Sequence, residues 1–279
     1  MALFRDEEYL KVDIDEGKEE EEALWMKCKS CGKLVFKKKV RERQNVCPNC
    51  GEYFFLTAKE RVKMLIDEET FDDRTRRIEA SDPLNFEDVK SYQDRIKENQ
   101  EDTGMFDSII VGYGKLASIP ITLAAMDFRF VGGSMGSVVG EQIAHGIDIA
   151  IQENVPFVLV SSSGGARMQE GLLSLMQMVK TTSARQGLSE NKIPFVSVMT
   201  YPTTAGVEAS IASLGDVVIA ERGALIGFAG KRVIEETIGE ELPPGFQSGE
   251  FAYKQGIVDQ IVEREELKGE LQHILKFFD

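Results

Sequence analysis

At 279 residues the chain is long enough for one core of roughly 200 residues plus a small appended module. Its 42% hydrophobic and 29% charged residues exclude wholesale disorder, and no apolar run approaches the ~20 residues of a membrane-spanning helix. A formal charge of −14 argues against the whole surface serving as a nucleic-acid or anionic-membrane binder.

The N-terminal MALFRDEEYLKVDIDE lacks a cationic start followed by an apolar stretch, so the expectation is a soluble, cytoplasmic protein without a secretory signal. Residues 6–22 set ten acids against Lys11 and Lys18, and the segment 1–22 reads as an acidic, mobile tail. Residues 25–46 reverse the charge, with Lys27, Lys29, Lys33, Lys37, Lys38, Lys39, Arg41 and Arg43 against Glu42 alone. All four cysteines fall here, as Cys28-Lys-Ser-Cys31 and Cys47-Pro-Asn-Cys50 with fifteen residues between. Two C-x-x-C turns at that separation predict a four-thiolate zinc site. A closed tetrahedral sulfur shell leaves no position for water and is structural rather than catalytic. The module, 23–57, therefore reads as a zinc ribbon with a basic face. That face is either solvated surface or a contact for phosphate, on a nucleic acid or a phosphorylated cofactor. Trp25 and Phe36 stand apart in the sequence, so no base-stacking pattern is visible.

Beyond the ribbon, TAKERVKMLIDEETFDD places Val62, Leu65 and Ile66 on one helical face, and residues 80–105 predict a polar connecting helix. SIIVGYGKL and IPITLAAMDF predict strands, followed by the turn Gly132-Gly133-Ser134-Met135-Gly136 and a helix with Ile143, Ile147, Ala150 and Ile151 in phase. A unit then recurs: the strand Val155–Val160 runs into SSSGGARMQEG and a helix, and the strand Ile193–Met199 runs into YPTTAGVEAS and a helix, with DVVIAERGALIGFAG a looser third copy. Continuous apolar strands alternating with helices predict an α/β sheet covered by helices. No G-x-G-x-x-G follows a strand and no Walker lysine is present, which gives ATP and NAD sites no support.

Ser163-Gly164-Gly165-Ala166-Arg167 and Thr203-Thr204-Ala205-Gly206 each lie where a strand meets a helix, so their amides are expected to face an incoming oxygen. Side by side, the two turns could each give one N–H to a thioester oxygen and stabilise an enolate, about 3 kcal/mol of barrier per donor. Only His145 and His273 are available as histidines, and no G-x-S-x-G elbow exists. Glu170 and Glu208 are candidate bases, yet acids in a first helical turn are also ordinary dipole partners.

SSSGGARMQEG, PTTAGVEASIASLGD, IGFAGKRVIEETIGEELPPGFQ and CKSCGKLVFKKKVRERQNVCPNCG together resemble the β subunits of bacterial acetyl-CoA carboxylase carboxyltransferase, from about Leu24 to the C-terminus. The resemblance implies a crotonase-like fold of repeated ββα units over 58–279, behind the zinc ribbon. It also implies transfer of a carboxyl group from carboxybiotin, on a carrier protein, to acetyl-CoA to give malonyl-CoA. Biotin itself would take the methyl proton, which makes sense of the missing base. The implied partners are the α subunit in an α2β2 assembly, biotin carboxyl carrier protein and biotin carboxylase, with nucleic-acid contact through the ribbon as a side activity. Mapped by motif, Gly164, Gly165 and Gly206 are the oxyanion donors, and Gly132, Gly133, Ser134, Gly136 and Arg167 belong to the CoA neighbourhood. Ala205, Glu208, Lys231 and FQSGEF depart from the commoner family pattern. Rival readings are a stand-alone crotonase-type acyl-CoA hydratase or decarboxylase, and a zinc-ribbon nucleic-acid binder.

Overall fold

The computed structural model describes residues 24–278, so the segment 1–22 and its expected mobility lie outside the described residues. The ribbon is built from Trp25–Lys27 (β1) and Leu34–Phe36 (β2), paired antiparallel with Trp25 opposite Phe36, and from Lys37–Glu42 (α1).

Ala58–Leu65 (α2) opens on a capping box: Thr57 Oγ1 accepts the Glu60 N–H and the Glu60 carboxylate accepts the Thr57 N–H. It is shorter than the amphipathic stretch predicts. Ile66 turns extended and the Asp67 N–H donates to the Lys115 carbonyl, so the chain is drawn onto the sheet as Asp72–Asp73 (β3). Tyr92–Thr103 (α3) occupies only the second half of 80–105, capped by Ser91 and ended by left-handed Gly104.

The large sheet continues with Ile109–Leu116 (β4) and Ile119–Met126 (β5), then Ser137–Glu153 (α4), Phe157–Ser163 (β6), Leu172–Glu190 (α5), Phe195–Thr204 (β7) and Ala205–Glu208 (α6). Val217–Glu221 (β8), Ile226–Gly227 (β9), Lys231–Ile238 (α7), Gly249–Lys254 (α8), Gln260–Val262 (β10) and Leu267–Phe277 (α9) complete the chain. The order is β10-β8-β7-β6-β5-β4-β3, with β9 also on β7; β3, β4 and β5 pair antiparallel and β5 through β10 pair parallel. Successive strand residues point to opposite faces. Phe157, Leu159, Phe195 and Met199 therefore pack with Val139, Ile143 and Leu188 of α4 and α5. Val158, Val160, Val196 and Val198 pack with Leu65, Ile96 and Leu271 of α2, α3 and α9. Both faces are buried, which is why these strands read as unbroken apolar runs.

Strands β6 and β7 each run past the predicted ends, through SSS and PTT, because those hydroxyls are satisfied inside the sheet. Thr200 Oγ1 donates to the Ser161 carbonyl at 2.8 Å, and the Ser161 and Thr203 hydroxyls meet at 3.1 Å.

The ribbon is docked on this domain by its second half. The Tyr53 hydroxyl donates to Glu263 at 2.6 Å, and Arg43 pairs with Glu265 at 2.8 Å. The Arg264 guanidinium lies 4.3 Å from the Tyr53 ring centre and donates to the carbonyls of Gln44, Asn45 and Phe54. Its remaining N–H groups, with those of Arg61, pair with the buried carboxylate of Glu221. Burial works against the charge of Glu221, and the two arginines outweigh it, holding the group at about 2.

Candidate active site and metal centre

The four cysteine sulfurs lie within 4.8 Å of one another, with Cys28 and Cys50 at 3.7 Å, and none is in a disulfide. A zinc tetrahedron with Zn–S of about 2.3 Å has edges of about 3.8 Å, so the donor set fits this ion. The Lys33 N–H holds the Cys31 thiol down at about 6. At Cys50 the Glu52 N–H favours the thiolate, but burial and three neighbouring sulfurs push it up to about 11. Four thiolates are compatible with such crowding only around a cation. The centre is a structural zinc ribbon of four cysteine ligands. The tertiary structure also brings together Trp25 and Phe36, whose ring centres are 5.4 Å apart beside a groove of about 420 Å³ rimmed by Lys33 and Lys39. Sequence separation hides that pair.

The two glycine-bearing turns do meet. They are laced by strand hydroxyls: Thr204 Oγ1 donates to the Ser163 carbonyl, and Ser162 Oγ to that of Tyr201, each at 3.2 Å. Gly165 adopts φ 117°, and a Cβ there would stand 2.5 Å from the Ala205 methyl and 3.3 Å from the Gly206 nitrogen.

Two of the expected donors are nevertheless engaged. The Gly164 N–H donates to the Gly132 carbonyl at 2.9 Å, and the Gly165 N–H to Ser163 Oγ at 3.0 Å. Helix α5 starts only at Leu172, after a short 3₁₀ turn, so these amides are not at a helix N-terminus. Ala166 differs from both. Met135 bonds its two flanks, accepting from the Arg167 N–H and donating to the Gly165 carbonyl, so the Ala166 N–H faces away from Met135. A Cβ on Gly206 would lie 3.4 Å from the Ala166 nitrogen, so the two backbones abut. Gly206 occupies the first turn of α6, whose N–H groups the helix cannot satisfy. Neither amide has an acceptor among the described residues. Ala166 carried no sequence signal, since any residue type supplies an N–H.

The remaining candidates brace this arrangement from within. Arg167 is completely buried, bidentate to Asp107 at 2.8 and 2.5 Å, and also bonded to the Tyr92 hydroxyl and to the carbonyl and hydroxyl of Ser134. Burial opposes its charge, and Asp107 more than offsets this, raising its pKa. The guanidinium is thus engaged inside the wall of the turn. Ser134 serves Arg167, and a Cβ on Gly133 would lie 2.1 Å from the Ser162 carbonyl oxygen, one on Gly136 2.3 Å from Glu170 Oε1. These three positions pack the turn, and the Gly132 carbonyl accepts from the Gly164 N–H.

Glu170 is buried and committed, accepting from the Ser137 N–H at 2.6 Å and the Tyr92 hydroxyl at 2.7 Å. His145 Nε2 lies 3.1 Å from the Arg74 carbonyl, and burial lowers its pKa. Glu208 is half-buried, which raises its carboxyl pKa, and it has no ion-pair partner among the described residues. Ala205 takes φ 51°, the left-handed conformation that glycine adopts freely. In FQSGEF, Ser248 caps α8 through the Phe251 N–H, and Gly249 lies against the Glu221 carbonyl.

The carboxyl transferase domain family matches residues 56–278, and the acetyl-CoA carboxylase zinc finger domain matches 25–50. The acetyl-coenzyme A carboxylase carboxyl transferase subunit beta of Thermus thermophilus is 51% identical over 91% of this chain and 88% of its own. Its counterpart in Prochlorococcus marinus is 48% identical over 94% and 90%. Among solved structures, transcarboxylase 12S is 24% identical with TM-score 0.67 over 86% of this chain, which spans 43% of that one. A Pseudomonas malonate decarboxylase hetero-dimer is 25% identical with TM-score 0.61 over 80% of this chain and 86% of that one. These neighbours share the crotonase-like architecture. By the extent of the match and the identity of these relatives, the chain belongs to the carboxyl transferase domain family, with an acetyl-CoA carboxylase zinc finger ahead of the domain.

Proposed function

We propose that this chain is the acyl-CoA-holding β subunit of an acetyl-CoA carboxylase carboxyltransferase, moving a carboxyl group from carboxybiotin to the methyl carbon of acetyl-CoA to form malonyl-CoA for fatty acid biosynthesis. The observation that carries the reading is the pair of abutting, unpartnered amides of Ala166 and Gly206 at the meeting of the two turns. A thioester oxygen seated there gains two hydrogen bonds as charge builds on it in the enolate. One such preorganised donor is worth about 3 kcal/mol of barrier. On this reading Gly206 and Ala166 are the donors, and Gly164 and Gly165 shape the turn.

The engaged state of Glu170 and the position of His145 fit a reaction whose base is the substrate biotin. Loss of the carboxyl as CO2 leaves the biotin ring nitrogen to take the methyl proton, and the enolate carbon then bonds to the CO2 carbon. The protein's share is to hold both partners and the oxygen.

A partner surface lies directly beside the site. Met168, Leu172, Leu175, Met176 and Val179 leave one apolar stripe of α5 and the turn before it exposed, starting one residue after Arg167. An apolar patch of this kind marks an interaction site. It supports an α subunit completing the site in an α2β2 assembly that biotin carboxyl carrier protein visits, with biotin carboxylase upstream, in the cytoplasm. No helix among the described residues is long and apolar enough to cross a membrane.

The test is malonyl-CoA formation from acetyl-CoA and a carboxybiotin donor, with and without the α subunit. Activity only with α is expected. Turnover of an acyl-CoA without biotin would overturn the reading in favour of a stand-alone acyl-CoA enzyme.

A further inference from the structure

Val131 is a β-branched residue at φ 44°, followed by Gly132 at 62° and Gly133 at 63°. Three consecutive left-handed residues opening on a valine form a costly turn, and such a conformation persists only where the surroundings over-determine it. Within the turn the Gly133 N–H donates to the Phe130 carbonyl and the Ser134 N–H to that of Val131. The side chain bonded to the turn at Val131 is that of Asn99, two turns along α3. Its Oδ1 accepts the Val131 N–H at 2.9 Å, and its Nδ2 donates to the Arg95 carbonyl at 2.8 Å, which fixes which end of the amide faces Val131. The turn so held presents the Gly132 carbonyl to the Gly164 N–H at 2.9 Å and presses Gly133 against the Ser162 carbonyl. Gly164 lies two residues before Ala166.

We propose that Asn99 is a positioning residue of the carboxyltransferase site, clamping the left-handed Val131–Gly133 turn so that Gly132 fixes Gly164 and thereby the Ala166 amide opposite Gly206. The proposal rests on the reading of Ala166 and Gly206 as donors to the thioester oxygen. Without the Asn99 oxygen, Val131 relaxes to negative φ, the Gly132 carbonyl swings away, and the segment 163–166 loses its outer support. Asn99 does not touch substrate, so its loss acts on turnover rather than on binding.

The test compares Asn99→Ala and Asn99→Asp in the full chain assembled with its α subunit, by steady-state kinetics and by hydrogen–deuterium exchange of 131–136 and 162–167. Asn99→Ala is expected to lower kcat by roughly tenfold with KM for acetyl-CoA within about twofold, and to raise exchange in both segments. Asn99→Asp, which keeps an acceptor for the Val131 N–H but loses the donor to the Arg95 carbonyl, is expected to fall between Asn99→Ala and the wild type. A further variant guards against a merely structural loss. Val131→Gly adopts the left-handed turn without a clamp, so adding Asn99→Ala to it is expected to cost less than about threefold. Unchanged exchange at 162–167, a rise in KM with kcat intact, or an undiminished Asn99→Ala effect in the Val131→Gly background would each overturn the proposal. If the wild type transfers no carboxyl group, the function reading fails, while the exchange data still decide whether Asn99 sets the turn.

Discussion

Gly165 and Ala205 face each other across the two turns so closely that a methyl group on Gly165 would stand 2.5 Å from the Ala205 methyl. The contact sets how near Ala166 and Gly206 approach, and Gly165 also holds φ 117°, which side chains rarely adopt. Gly165→Val is therefore expected to spread the turns and lower transfer by 10²–10³-fold or more, roughly the value of one lost oxyanion donor. Zinc content and the unfolding cooperativity should be unchanged. Retained activity would remove the turns from the mechanism.

Ala205 at φ 51° carries a left-handed strain of about 1 kcal/mol. Ala205→Gly is expected to stabilise the chain by up to about that amount with activity preserved, since the neighbouring donor is a backbone N–H. Thermal unfolding of the purified variant checks the sign; a fall in Tm would show that the methyl's packing outweighs its strain.

Arg167 and Asp107 form a buried ion pair inside the site wall. Removing one partner strands the other charge, so Arg167→Met is expected to cost about 3–5 kcal/mol of stability. Chemical denaturation measures this. A variant of wild-type stability with a raised KM for acetyl-CoA would instead make Arg167 a CoA ligand.

Glu221 is held below its ordinary range, from 4.5 to about 2, after burial is overcome by Arg61 and Arg264. A depressed folded pKa stabilises the protein above the unfolded value, and that contribution is lost as pH falls through the folded one. The shift amounts to about 3 kcal/mol, lost between roughly pH 4.5 and 2. Tm measured across that window should fall steeply for the wild type. Glu221→Gln, although less stable at neutral pH, should show a shallower slope.

The single tryptophan, Trp25, sits on β1 against Phe36, so its fluorescence reports on the ribbon. Chelation is expected to release one zinc per chain and, because the 57% exposed Trp25 leans on Phe36, to change the intensity of its emission as the ribbon unfolds. An unmoved spectrum after complete metal loss would show that the ribbon holds its shape through Tyr53 and Arg264 alone.

Much of this protein is determined by its sequence alone. Cysteine spacing specifies a four-thiolate site because two tight turns can close only one tetrahedron. Unbroken apolar strands between helices specify a sheet buried on both faces. Recurrent Gly-containing turns locate the candidate site to within two residues. Only the tertiary structure decides which amide there is free, because the partners that occupy Gly164 and Gly165 are the Gly132 carbonyl and the Ser163 hydroxyl. It likewise turns Arg167 inward onto an aspartate 60 residues away and sets Trp25 opposite Phe36. Periodicity and spacing report local backbone geometry. Hydrogen-bond satisfaction is settled between segments distant in sequence, and in this protein that settlement selects the Ala166 and Gly206 amides.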